Sequence, residues 1–224
     1  MNYAIAIDGP AGAGKSTIAK ILAKELELIY VDTGALYRTI GYYVTEQGVD
    51  TADTDAVAAA LDGLQVELKY VDGTQRVFAN GEDVSDLIRT PAMSMAASAV
   101  SAIPAVRAYL LDTQRGIAAT HSVVMDGRDI GTVILPDAKV KIFLTASPEA
   151  RAKRRFDELQ EKGDPATYDE VLADMIKRDY DDTHRAIAPL KQAEDAIPVD
   201  TSGLTLEQSV EKMKEIVFNQ LKEE

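Results

Sequence analysis

The most constraining stretch of this sequence is a glycine-rich run at residues 9–17, which reads GPAGAGKST. A short apolar run precedes it, and apolar residues at helical spacing, such as Ile18 and Leu22, follow it. The pattern G-x-x-x-x-G-K-S between a strand and a helix predicts a loop whose backbone N–H groups surround phosphate oxygens. Lys15 would reach the β- and γ-phosphates, and the Ser16 hydroxyl would bind Mg²⁺. The run therefore predicts binding of a nucleoside triphosphate, with an ordinary glycine-rich helix cap as the alternative.

Composition limits the partners and the compartment. Asp plus Glu outnumber Lys plus Arg by 37 to 24, which gives a net charge of −13 and argues against a nucleic acid polymer as partner. The sequence has no cysteine, which excludes a disulfide framework, a thiol nucleophile and a Cys-ligated metal. Asp8 interrupts the N-terminal apolar run, and no run is long enough to span a bilayer. We therefore expect a cytoplasmic protein with no membrane partner.

Short apolar runs alternate with amphipathic stretches along most of the chain, which predicts an α/β fold with a parallel sheet flanked by helices. Residues 63–90 differ, because alternating residues around Asp72-Gly73 and Asn80-Gly81 predict a small antiparallel β insert. A helix is predicted to begin after Asp32, with Thr33 as its cap. The glycine-rich loop, residues 32–34 and residues 126–129 all follow strands, so we expect them to converge on one crevice.

Arginines are the candidate ligands for an anionic substrate, because the guanidinium binds phosphate bidentately. Arg151, Arg154 and Arg155 are spaced to share one helix face, with a solvated face paired to Glu149 or Glu158 as the alternative.

A second arginine group contains Arg178, Asp182 and Arg185, which share a face if their helix continues that far. An intrahelical salt bridge is the alternative. His121 and His184, the two histidines, are interpreted as surface residues. The sequence offers more arginines than residues that could act as a general base, which favours a phosphate monoester as acceptor. Such a group is largely dianionic near neutrality, so it needs neighbouring positive charge and no general base.

Six stretches of the sequence resemble bacterial-type cytidylate kinases, a family of P-loop nucleoside monophosphate kinases. They read IDGPAGAGKS, VDTGALYR, VSDLIRT, AAS, DGRDIGT and RDYDDTHRAIAPL, and the resemblance spans nearly the full length. It implies a P-loop kinase with a short lid that transfers the γ-phosphoryl group of ATP, with Mg²⁺, to CMP or dCMP.

The resemblance also implies roles for the residues that match the motifs. The ATP phosphates would be bound by Gly9, Pro10, Ala11, Gly12, Ala13, Gly14, Lys15, Ser16 and Thr17. CMP would be bound at its phosphate by Arg38 and Arg128, at cytosine by Thr33, Arg107, Asp129 and Arg185, and at the sugar by Ser98, Arg178 and Asp182, with Tyr37 beside them. Catalytic roles are implied for Lys15, Arg128, Arg154, Arg155 and Arg178.

One domain over residues 1–224 is expected on the same grounds. Its core would comprise residues 1–34, 104–148 and 164–224, with a monophosphate-binding region at 35–103 and a lid at about 149–163. Closure of the lid would exclude water that competes for the phosphoryl group. Because the arginine cluster is complete in one chain, we expect a monomer.

Two other functions stay open at this stage. One is a P-loop kinase of a small hydroxyl metabolite such as shikimate, in which Asp32 or Asp129 would be the base. The other is a nucleotide-hydrolysing switch, although the sequence lacks the N-K-x-D pattern that reads guanine. ADP release with and without a monophosphate distinguishes these functions.

Overall fold

The computed structural model describes residues 2–71 and 74–222. Its strands are β1 (Ala4–Asp8), β2 (Ile29–Asp32), β3 (Val66–Val71), β4 (Thr74–Ala79), β5 (Glu82–Asp83), β6 (Val123–Gly127), β7 (Val140–Thr145) and β8 (Ile197–Asp200). Its helices are α1 (Lys15–Glu25), α2 (Thr33–Glu46), α3 (Thr54–Ala60), α4 (Pro91–Ser101), α5 (Pro104–Thr120), α6 (Pro148–Glu161), α7 (Tyr168–His184) and α8 (Leu206–Lys222). A 3₁₀ turn spans Leu61–Gly63, and a π-helical turn spans Ile130–Ile134.

Five strands form the main sheet, in the order β2-β6-β1-β7-β8. β1 pairs in parallel with β6 and with β7, and β7 pairs in parallel with β8. Because these strands run in one direction, their carboxyl ends at Asp8, Gly127 and Thr145 lie at the same edge of the sheet. The predicted α/β fold is confirmed.

The chain divides into two compact units, of which the first joins Met1–Tyr30 to Ala118–Glu224. Its hydrophobic core contains side chains of β1, α1, β7 and α8, with Ile7, Leu22 and Met213 fully buried. The apolar spacing of α1 explains this placement, because Ile18 and Leu22 point to the same side one turn apart.

The second unit, Val31–Ile117, has its own core around Leu36 and Val100 and contains the β insert. β4 pairs antiparallel with β3 and with β5, and Asn80-Gly81 turns the chain with positive φ at both residues. The predicted insert is confirmed, while the predicted turn at Asp72-Gly73 lies outside the described residues.

The sequence also predicts helices from about Pro91 to Thr120 with a break at Ile103-Pro104. This break is confirmed, since α4 ends at Ser101 and α5 begins at Pro104. Proline suits the start of α5, where its missing N–H has no helical partner. In the described part of the chain, no single helix combines the length and apolarity needed to cross a membrane. α4 and α5 meet that criterion only as a pair, bent by 100° at the break.

Two predictions about helix ends need correction. Asp32, and not Thr33, caps α2, because its Oδ1 accepts the N–H of Ala35 at 2.9 Å while Thr33 is already helical. α7 ends at His184, and Arg185 is extended with φ −61° and ψ 142°, so Arg185 does not continue the helical face of Arg178 and Asp182.

Candidate active site

The residues between β1 and α1 form the predicted phosphate loop. Gly9 has a φ of 151°, and a Cβ on it would lie 1.9 Å from the carbonyl oxygen of Leu144 in β7. Only glycine therefore fits at this point. Gly14 is the left-handed N-cap residue of α1, so the loop ends at a helix N-terminus, which carries partial positive charge.

Lys15 is buried at the start of α1, and its Nζ donates to the carbonyl oxygen of Pro10 at 2.7 Å. Burial, and next the positive charge of Arg128, lower the pKa of Lys15 to about 7. The nearby carboxylates of Asp126 and Asp8 oppose this shift without cancelling it. An anionic phosphate at the loop would stabilise the charged form of this ammonium group.

Ser16 reaches a carboxylate at the end of β6. Its Oγ donates to Oδ2 of Asp126 at 2.7 Å, and Tyr30 donates from its hydroxyl to Oδ1 of Asp126 at 2.9 Å. No cluster of three or more Asp, Glu, His or Cys side chains suited to a metal occurs among residues 2–71 and 74–222. A hydroxyl and one carboxylate suit Mg²⁺, which takes few protein ligands when phosphate oxygens and waters supply the others.

The first unit brings several predicted CMP-binding residues together. Arg128 donates from Nε to Oδ2 of Asp182 at 2.7 Å, although the two residues are 54 positions apart. Burial raises the pKa of Asp182, but Arg128 and then Arg185 outweigh burial, so its pKa is lowered and the carboxyl stays ionised. Burial, and next the like charge of Arg128, lower the pKa of Arg178. Burial lowers the pKa of Arg128, but Asp182 and then Asp126 outweigh burial and raise it, so the carboxylates of this cluster compensate Arg128 more fully than Arg178.

Arg185 and Asp129 form a second pair in this unit. Nη2 of Arg185 lies 3.4 Å from Oδ1 of Asp129, and both side chains are buried. Arg185 also donates from Nε to the carbonyl oxygen of Ala188 at 2.7 Å. A guanidinium beside a carboxylate offers both donors and acceptors, which is what a cytosine edge requires.

Arg151 does not lie on a solvated helix face, which was the alternative considered for the three arginines of α6. It is buried at the first turn of α6, and it donates to the carbonyl oxygen of Ala11 at 2.9 Å and to that of Ala146 at 2.8 Å. Its guanidinium also forms a bidentate ion pair with Asp179 of α7. The alternative of a solvated helix face is wrong for Arg151, because the start of α6 lies against the phosphate loop.

The other two arginines of α6 are less buried. Arg154 donates to the carbonyl oxygen of Thr201 at 2.6 Å, and Arg155 pairs with Glu158 at 3.1 Å. The Arg155 pair matches the alternative considered from the sequence. Both histidines are exposed, as predicted, and His184 stacks on Tyr180.

A cavity of about 570 Å³ lies at the carboxyl ends of β7 and β8 within the first unit. Its lining includes Pro10 of the phosphate loop, Thr145, Arg151, Asp179, Asp200 and Ser202. The cavity therefore adjoins the phosphate loop, and its wall contains the Arg151–Asp179 pair.

In the second unit, Arg38 is a residue of α2, and its side chain reaches the start of that helix. Its Nη2 pairs with Oδ2 of Asp32 at 2.9 Å, while its Nη1 would lie 3.0 Å from a Cβ on Gly34. The Nε of Arg38 is buried and has no hydrogen-bond partner within residues 2–71 and 74–222. A buried donor without a partner is costly, and a phosphate oxygen would satisfy it.

The remaining predicted residues of this unit lie on three helices. Thr33 and Tyr37 are buried on α2, and the guanidinium of Arg107 on α5 lies 5.8 Å from the centre of the Tyr37 ring. Arg107 also donates to the carbonyl oxygen of Ser101 at 3.3 Å. Ser98 on α4 is partly buried, and its carbonyl oxygen accepts the hydroxyl of Ser101.

Comparison with known proteins decides the family. The sequence model of the family described as cytidylate kinase matches residues 5–219. The chain belongs to the cytidylate kinase family. It is 50% identical over 214 residues to a cytidylate kinase of Caldicellulosiruptor saccharolyticus, covering 96% of this chain and 95% of the relative. It is 51% identical over 213 residues to a cytidylate kinase of Carboxydothermus hydrogenoformans, covering 95% and 96%.

The fold of this cytidylate kinase family member also has a counterpart among solved structures. A crystal structure of an uncharacterized protein from Eubacterium ventriosum aligns with a TM-score of 0.52 at 13% identity, covering 100% of both chains. At this identity the likeness concerns the fold alone.

Two functional candidates of the cytidylate kinase chain were missed in the sequence. Asp126 was overlooked as a partner of Ser16, although an acidic residue directly after the apolar run at residues 123–125 is a usable signal. Asp179 was overlooked as the partner of Arg151, and here no local signal exists, because the two residues lie 28 positions apart on different helices.

Proposed function

We propose that this chain transfers the γ-phosphoryl group of MgATP to CMP or dCMP, giving ADP and CDP or dCDP. The observation that carries the proposal is the group of three cations, Lys15 at the phosphate loop, Arg128 after β6 and Arg178 on α7. Burial and, next, the like charge of Arg128 lower the pKa of Lys15 and of Arg178. Such a group favours a ligand with several phosphate charges. The family membership supports the cytosine nucleotide as acceptor.

ATP is assigned to the phosphate loop, residues 9–17, and to the cavity beside it. Lys15 would hold the β- and γ-phosphates, because its ammonium group lies at the loop and lacks full compensation. The cavity of about 570 Å³ would receive the base and ribose, since Pro10 of the loop is part of its lining. Ser16 and Asp126 would hold Mg²⁺, which when bound neutralises charge on the phosphates.

CMP is assigned to the residues that the motifs imply. Arg38 and Arg128 would hold its phosphate. The Nε of Arg38 supports this role, because it is buried and has no hydrogen-bond partner in the described part of the chain. Thr33, Arg107, Asp129 and Arg185 would read cytosine, while Ser98, Arg178 and Asp182 would bind the sugar, with Tyr37 beside them. The N4 amino group of cytosine suits the carboxylate of Asp129, and its N3 and O2 acceptors suit arginine donors.

The transfer step needs charge stabilisation and no general base. The CMP phosphate has a second pKa of about 6, so near neutrality it is mostly a dianion. One of its deprotonated oxygens can therefore attack without a general base. A bond forms between that oxygen and the γ-phosphorus, and the bond from the γ-phosphorus to the β–γ bridging oxygen breaks, leaving ADP. Lys15, Arg128 and Arg178, with Arg154 and Arg155, would stabilise the charge that moves onto the bridging oxygen.

The first test is ADP release from MgATP with CMP, dCMP, UMP, AMP, GMP and no acceptor, measured side by side. We expect turnover that requires a monophosphate and is fastest with CMP and dCMP. Equal ADP release with and without acceptor would contradict the proposal and favour a hydrolytic switch. Turnover with shikimate and none with any monophosphate would favour a kinase of hydroxyl metabolites.

Variants at α7 refine this test. Arg178→Ala and Asp182→Ala should weaken CMP use while the chain still unfolds cooperatively, with Lys177→Ala as an exposed control on the same helix. Loss of the thermal transition in Asp182→Ala would instead make its pair with Arg128 structural. A monomeric state, a cytoplasmic location, the core boundaries and the lid at about 149–163 stay predictions from the sequence.

A further inference from the structure

Asp8, the last residue of β1, has a buried carboxylate with no part in the mechanism above. Only 5% of the residue is exposed. Its Oδ1 accepts the N–H of Ile130 at 2.8 Å, and its Oδ2 accepts the N–H of Gly131 at 2.7 Å. Both acceptors of the side chain are thus used on two successive main-chain donors, 122 and 123 positions away in the sequence.

The two donors belong to the π-helical turn Ile130–Ile134, which directly follows Arg128 and Asp129. Asp129 has φ −147° and ψ 28°, so the chain changes direction there between β6 and the turn. Helices wider than the α-helix are usually single turns that need outside support, and many occur at functional sites. The first N–H groups of such a turn have no partner within it.

Gly131 allows this close packing. A Cβ on Gly131 would lie 3.4 Å from Oδ2 of Asp8 and 3.1 Å from Cδ of Lys141. The Lys141 ammonium pairs with Asp195 at 2.7 Å, so its positive charge is not dedicated to Asp8. The absence of a side chain at Gly131 therefore leaves room for both the Asp8 carboxylate and the stem of Lys141.

We propose that Asp8 is a positioning residue for the acceptor nucleotide: its carboxylate holds the turn at Ile130 and Gly131 and thereby orients Arg128 and Asp129. This inference rests on the proposed function, which assigns those two residues to CMP. Asp8 immediately precedes Gly9 of the phosphate loop, so one side chain ties the start of that loop to the acceptor-binding turn.

The ionised form of Asp8 is best suited to this role, because protonation turns one oxygen into a hydroxyl, which donates a proton and is a weaker acceptor. Burial raises the pKa of Asp8 from 3.8 to about 6, with Asp129 adding to the increase, while the N–H groups of Gly131 and Ile130 and then Lys15 oppose it. The folded chain therefore binds this proton more tightly than the unfolded chain, so the ionisation of Asp8 lowers folding stability as the pH rises from 3.8 to about 6.

The experiment compares Asp8→Asn with Asp195→Asn at pH 7.5. Asp8→Asn keeps the shape of the side chain but replaces one acceptor oxygen with an amide NH₂ group. This donor would face a main-chain N–H, so one hydrogen bond is lost. Asp195→Asn neutralises the carboxylate that pairs with Lys141, whose stem lies at Gly131, and leaves the bonds of Asp8 in place. Calorimetry gives the affinities for CMP and for ATP separately, steady-state assays give both KM values, and circular dichroism verifies folding.

We expect Asp8→Asn to weaken CMP binding about tenfold, the size of one lost hydrogen bond of about 1.4 kcal/mol, and to change ATP affinity by less than about twofold. Asp195→Asn should change neither affinity. Equal losses for ATP and CMP, or a less stable variant with unchanged CMP affinity, would overturn the proposal and make Asp8 purely structural.

Amide hydrogen exchange of the wild-type chain provides a test that needs no variant. Lowering the pH from 7.5 to 5 protonates Asp8, so the Ile130 and Gly131 amides should lose protection, whereas Val133, which donates to the carbonyl of Asp129, should not. Unchanged protection at Ile130 and Gly131 would overturn the proposed hold on the turn. A wild-type chain that binds no CMP while these amides respond as expected would contradict the proposed function and not the hold.

Discussion

A Cβ on Gly9 would lie 1.9 Å from the carbonyl oxygen of Leu144, whereas a Cβ on Gly116 would meet nothing within 4 Å. The two positions therefore have glycine for different reasons. Gly9 is required by the approach of the phosphate loop to β7, where even one methyl group displaces main chain. Gly116 lies exposed inside α5, where glycine only adds freedom to the unfolded chain.

Alanine at these two positions should have opposite effects on stability. Gly9→Ala should lower the free energy of unfolding by about 3 kcal/mol or more, because strained φ and a main-chain clash act together. Gly116→Ala should raise it by about 0.5–1 kcal/mol. Urea unfolding followed by circular dichroism measures both, and a Gly9→Ala midpoint equal to the wild-type midpoint would contradict the loop geometry.

At the scale of elements, the first turn of α6 is fastened by Arg151 to three places. They are the phosphate loop at Ala11, the end of β7 at Ala146, and α7 at Asp179. α7 also contains Arg178 and Asp182, which are proposed to bind the acceptor, so the pair with Asp179 links that helix to the phosphate loop. The guanidinium is suited to this task because its planar fork presents several donors at fixed angles.

Arg151→Lys should lose most of these bonds while keeping the charge. We expect the free energy of unfolding to fall by about 1–3 kcal/mol, because buried carbonyl oxygens and Asp179 lose their donors. Lys153→Ala, which removes an exposed pair with Asp157 on the same helix, should change it by less than about 1 kcal/mol. Urea unfolding measures the free energy of unfolding of both variants. Similar small decreases in the two would mean that Arg151 contributes no more to stability than a surface ion pair does.

For the whole molecule, the net charge of −13 contrasts with the cations gathered at Lys15, Arg128 and Arg178. The negative charge opposes non-specific binding of polyanions, while the local cluster attracts a small phosphorylated ligand at short range. Binding of such a ligand relieves the mutual repulsion of the cluster, so it should stabilise the folded chain as well as begin the reaction.

CMP alone should therefore raise the thermal stability of the whole chain. At a concentration of 100 times its Kd, the free energy of unfolding should rise by about 2.7 kcal/mol, and dCMP should act similarly. AMP at the same concentration should have no comparable effect. Circular dichroism is the suitable probe, because the chain has nine tyrosines and no tryptophan; equal stabilisation by AMP and CMP would mean that the base is not read.

Local sequence determined the phosphate loop, the alternation of strands and helices, the insert at residues 63–90 and the break before Pro104. Each of these depends on residues within one or two turns of each other, so spacing and turn chemistry suffice to predict it. Family motifs also located the cytidylate kinase resemblance. Helix ends were less certain: Asp32 replaced Thr33 as the cap of α2, since both residues can cap and only the path of the chain selects one.

Tertiary structure alone decided which partner each buried polar group has. The spacing of Arg151 left a solvated helix face open as an alternative, yet the residue is buried against Ala11 and Asp179. The carboxylate of Asp8 holds main chain 123 positions away at Gly131. Local patterns do not encode such pairs, because a buried charge takes whichever donors or acceptors the packed strands and helices bring within about 3 Å.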